Sequence, residues 1–110
     1  MKASDVRVLP ALEHGESYVD PLFLLVETVV DEHGQSVTTI EQLGSNVIDG
    51  KERWTVRTVG QSVPLSHRAA CRWAVSYAAS RGIPLVYERE EIRYAAAFNI
   101  AASASANAAK

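Results

Sequence analysis

His67 and Cys71 stand four residues apart in the stretch SHRAACRWAVSYAASRG. On a helix that spacing sets an imidazole beside a thiol, the arrangement of a nucleophilic pair or of two ligands to one metal. A zinc centre takes at least three protein ligands. The other histidines, His14 and His33, fall in segments that read as loops, and the chain has no second cysteine. The expected roles are therefore structural: Cys71 as a small residue bordering the core and His67 as a first-turn polar residue near solvent. Asp31-Glu32 and Glu88, Glu90 and Glu91 are the carboxylates that would suit acid–base work, but a solvated hairpin tip and strand end account for them. The loops G-x-x-x-x-G-K-[ST], G-x-G-x-x-G and G-x-S-x-G are absent, so no catalytic, metal or cofactor-binding residue is assigned and no cofactor is expected.

The cations are the other candidates. Residues 1–50 carry two basic and nine acidic side chains (−7), and residues 51–110 nine basic and four acidic (+5), within a net charge of −2. Lys51, Arg53, Arg57, Arg68, Arg72 and Arg81 would suit a phosphate backbone if they shared a surface, with Trp54 or Tyr87 beside a base. The run RWTVRTV alternates, with Trp54, Val56 and Thr58 on one side and Arg53, Thr55 and Arg57 on the other. A helix covering the Trp54 side would leave Arg53 and Arg57 on the opposite side from Arg68 and Arg72. Neutralisation by the acidic hairpin is then the simpler reading. Residues Gly60 to Ala79 faintly resemble the last strand and helix of double-stranded RNA-binding domains, where serine and basic residues open an alanine-rich helix after a three-stranded sheet. His67 and Arg68 stand where that family carries a lysine pair. No first helix precedes the hairpin, and a strand follows the helix, so the resemblance does not amount to membership.

Local patterns predict the elements that position these residues. Leu22 to Val30 and Ser36 to Leu43 are β-rich runs around Asp31-Glu32-His33-Gly34, a hairpin; Gly44-Ser45-Asn46 and Asp49-Gly50 bracket a loop before the Arg53–Val59 strand. Ser66 caps a helix that Gly82 ends, with Ala70, Trp73, Ala74, Tyr77 and Ala78 on its buried face and Trp73 and Tyr77 filling the ends. Ile83 to Tyr87 begins a last strand, either at an edge or with Pro84 as its first residue. Val6, Val8 and Leu9 suit a short edge strand, Pro10 to Glu13 a helical turn, and Glu90 to Phe98 a short second helix. The fold class is α+β: a mixed four-stranded sheet (hairpin, third strand, helix, fourth strand) with the main helix on one face. Residues 1–18 form an N-terminal extension, 19–98 the domain, and 99–110 a low-complexity tail expected to be disordered.

A 110-residue chain that is 47% hydrophobic and 22% charged suits one globular domain. One cysteine gives no intrachain disulfide, and no run reaches membrane-spanning length, so a cytoplasmic protein with no membrane partner is expected. The first hairpin arm is apolar on both alternate sets, Phe23/Leu25 and Leu24/Val26. That motivates a non-enzymatic module binding a protein partner or itself as a C2 homodimer, with Phe23 and Leu25 as contact surface. A nucleic-acid-binding domain using Arg53, Arg57, Arg68 and Arg72 is the alternative.

Overall fold

In the computed structural model, which describes residues 1–13, 15–62 and 66–92, the chain order is β1 (Arg7–Pro10), β2 (Leu22–Val30), β3 (Ser36–Ile48), β4 (Lys51–Ser62), α1 (His67–Arg81) and β5 (Leu85–Ile92). The α+β class holds: the described residues form a mixed sheet of five strands in the order β1-β5-β2-β3-β4. Strands β2, β3 and β4 form an antiparallel meander, and β5 runs parallel to both β1 and β2. The fifth strand is β1, the short edge strand that Val6–Leu9 suggested. No helical turn begins at Pro10, which ends β1.

Each hairpin turn has a local cause. At the first, Asp31 Oδ1 accepts from the amides of His33 and Gln35, and Gly34 takes φ 78°. At the second, Asp49 and Gly50 both adopt positive φ, 54° and 75°, so two residues suffice and Ile48 faces Lys51 across the ladder. Gly44 to Asn46 therefore continue β3 instead of forming a loop.

The helix begins and ends as its sequence dictates. Ser66 Oγ accepts from the Ala69 amide, and Gly82 at φ 72° lets the Ile83 amide donate to the Ala78 carbonyl at 2.8 Å. Ala70, Ala74 and Ala78 are buried against Leu24, Val26, Ile40, Ile83 and Val86. Their small side chains bring the helix axis close to the sheet, so bulkier neighbours are pushed to its flank. Trp73 is accordingly 40% exposed and stacked on Tyr77, not plugging the interior as expected; its ring lies 3.3 Å from where a Cβ on Gly60 would stand.

The opposite sheet face is closed by an irregular strap, residues 11–13 and 15–20. Tyr18 packs on Phe23 and Tyr87 with ring centroids 4.7 Å away in both cases. Its hydroxyl accepts from the Leu12 amide, Tyr87 donates to Asp20, and Arg89 binds both Glu27 and the Leu12 carbonyl. The segment before β2 thus supplies strand β1 and the partly buried Leu9, Ala11 and Tyr18 that pack on Phe23, Leu85 and Tyr87.

Strand β5 is interior, and Pro84 sits just before it, where its missing amide costs no ladder bond. Glu90 to Ile92 extend β5 and do not open a helix; Val30 pairs Ile92. The rest of the expected second helix and the 99–110 tail lie outside the described residues. Among those described, no helix is long and apolar enough to cross a membrane.

Candidate functional site

Register decides which side chains meet. Val26 pairs Ile40 under the helix, and Gln42 pairs Arg57, so Arg53, Thr55 and Arg57 lie on the helix side of the sheet. The Arg57 guanidinium donates to the Tyr77 hydroxyl at 3.3 Å, which fixes that orientation. Trp54 lies on the strap side, edge-on to Phe23 at 6.0 Å. The expected arrangement is reversed: Arg53 and Arg57 share the helix side of the molecule with Arg68 and Arg72. They do not form one patch, because helical geometry puts Arg68 and Arg72 on the flank toward β1 and Trp73, Tyr77 and Arg81 on the flank toward β4. Arg81 lies 4.7 Å over the Tyr77 ring, and this cation, then Arg57, holds the Tyr77 phenol below its usual pKa.

Phe23 is fully buried by Tyr18, Tyr87 and Trp54, so it offers no contact surface, and Leu25 is half-buried beside it. The strap covers what had looked like an open face. Exposed apolar surface lies further along the hairpin instead, at Trp54 (38%), Val56 (57%) and Val47 (73%). Beside it is a notch of about 260 Å³ where Tyr18, Phe23, Leu43 and Trp54 meet Glu16 and Ser17. Among the described residues, the outer side of β4 has no strand neighbour. Among the described residues, no carboxylate makes an ion pair with Arg53 or Arg57.

A second constellation surrounds the first turn of α1. His67 Nδ1 is 2.6 Å from Thr28 Oγ1, which is 2.7 Å from Thr38 Oγ1, and both threonines are buried. His67 Nε2 is 2.7 Å from Glu88 Oε1 and 3.7 Å from Cys71 Sγ. Glu88, expected only as a carboxylate of a solvated strand end, is brought to His67 by the parallel β2–β5 register, two residues beyond buried Val86 on the helix side. Its one sequence signal was that alternation. Cys71 and Glu88 converge on the same ring nitrogen, so this is not a relay in which a carboxylate orients a base toward a nucleophile. Burial, then the charges of Glu88 and Glu90, push the Cys71 thiol up to about 11, which keeps it protonated at neutral pH. No protein-family model, curated protein or solved structure matches the chain.

Proposed function

We propose that the protein is a binding module that receives an extended, acidic segment of a partner protein along the outer edge of β4. The observation that carries this reading is a twelve-residue edge strand, whose outer side has no partner among the described residues, bearing two side-chain rows of distinct chemistry. Backbone amides and carbonyls supply sequence-independent affinity in strand addition, and alternate side chains supply selectivity. Arg53 and Arg57 meet carboxylates on the helix side, while Trp54, Val56 and the adjoining notch take apolar side chains on the other. A second copy fits less well. Antiparallel self-pairing about Thr55 sets Arg53 opposite Arg57, and like charges directly opposite each other destabilise a ladder.

The test is titration with an extended peptide of alternating glutamate and valine, followed by amide chemical shifts along β4. Shifts confined to residues 51–58, abolished by Arg53→Glu with Arg57→Glu and regained with a lysine–valine peptide, are the expected result. Equal binding of both peptides to the unaltered protein, no shift at millimolar peptide, or a dimer closed through β4 in light scattering refutes it.

RNA binding is a second reading, favoured by the Arg57–Tyr77–Arg81 cluster and the exposed Trp73 ring on one flank. It requires a gel shift that weakens steeply with salt and is lost in Arg57→Ala with Arg81→Ala; no shift at low salt removes it.

A further inference from the structure

We propose that His67, Cys71 and Glu88 form a zinc site that clamps the first turn of α1 to the middle of β5. Their ligand atoms lie within 4.8 Å of one another, and all three side chains are only partly exposed. A thiolate, a carboxylate and an imidazole are the donor types zinc takes, and three protein ligands leave the fourth position for water or an external ligand. The two anionic donors balance the charge of the dication, which matters at a site where the His67 side chain is only 14% exposed. Zinc–ligand bonds of about 2.0 to 2.3 Å give tetrahedral edges of about 3.3 to 3.6 Å. The Cys71–His67 separation of 3.7 Å already matches, and the His67–Glu88 contact of 2.7 Å has to open by well under one ångström.

The hydroxyls behind the imidazole are also in place. A metal on Nε2 requires the proton on Nδ1, and Nδ1 faces the Thr28 hydroxyl at 2.6 Å. Thr28 then accepts from the ring and donates to Thr38 at 2.7 Å; without metal, Nε2 donates to Glu88 and the same two hydroxyls rotate to donate toward Nδ1. The buried threonine pair therefore satisfies either tautomer while fixing the ring plane. On binding, the Cys71 thiol gives its proton to solvent and the sulfur–metal bond forms, with no change of oxidation state.

Cobalt(II) titration of the full chain tests the site. One equivalent is expected to give a sulfur-to-cobalt charge-transfer band with tetrahedral ligand-field bands, and zinc is expected to displace it. Cys71→Ser should abolish the charge-transfer band while leaving the metal-free circular dichroism unchanged. His67→Asn and Glu88→Gln should each weaken binding by more than about 100-fold, and Thr28→Val, which removes the hydroxyl facing Nδ1, by about 10- to 100-fold. His33→Ala, at the exposed hairpin tip, should change nothing. Absence of a thiolate band at millimolar cobalt overturns the proposal. So does a band whose affinity is unchanged in both His67→Asn and Glu88→Gln.

Discussion

The two faces of one sheet are closed by opposite means. On one side a regular, capped helix lays an alanine stripe across β2 and β5; on the other, an irregular strap reaches back and is held by aromatic edges and two side-chain ties to β5. The first solution uses close backbone approach and small side chains, so its tolerance for added volume is low. The second uses large rings, so its sensitivity is to lost volume. The strap also stops short of Trp54 and Val56, whereas the helix flank reaches β4 through Trp73 and Tyr77.

Substitutions sharpen that contrast. The largest effect is expected from Phe23→Ala, which empties the centre of the aromatic face and should cost about 3–5 kcal/mol in denaturant unfolding. Ala74→Leu, adding bulk beneath the helix, is expected to cost about 1–3 kcal/mol; a neutral result would mean that the helix is not seated closely. Ser66→Ala removes the acceptor for the Ala69 amide and should cost about 1 kcal/mol, read from the same unfolding curves.

The smallest effect at neutral pH belongs to a proton on the strap side. Burial, then the hydrogen bond to Asp20, push the Tyr87 phenol up to about 12 from its ordinary 10. Because the folded-state value is the higher one, the associated stability is fully present below pH 10 and is lost as pH rises toward about 12. Unfolding midpoints of the unaltered protein should therefore fall more steeply than those of Tyr87→Phe across that window. Parallel curves would place the ring elsewhere.

What the sequence made legible was local. The Ser66 cap, the Gly82 terminus, the hairpin glycine and the alternation of Arg53 to Val59 each act within a few residues, and each holds in the structure. The position of β5 between β1 and β2 was not legible, because parallel pairing joins segments far apart in sequence. Nor was the side of β4 that the helix would cover. Both alternate sets of β2 are apolar, so the pattern there permits either face; the Arg57–Gln42 register and the irregularity at Ile40/Glu41, which places both Val59 and Gly60 under the helix, decide it. Glu88 shared that fate: an ordinary solvated carboxylate by composition, it becomes the third member of a cluster only through tertiary pairing. The strap was missed for a related reason, since Tyr18 and Leu12 gain their meaning from each other and from Arg89.

The central placement of β5 governs the order in which the protein can assemble on the ribosome. The β2–β3–β4 meander is local and can form as it emerges, yet β1 has no ladder partner, and one side of β2 stays bare, until β5 has left the exit tunnel. Strand β5 is a wedge driven between two older ones, so closure of the sheet awaits its emergence, and a nascent chain stalled before Leu85 offers the naked flank of β2 to whatever strand it meets first.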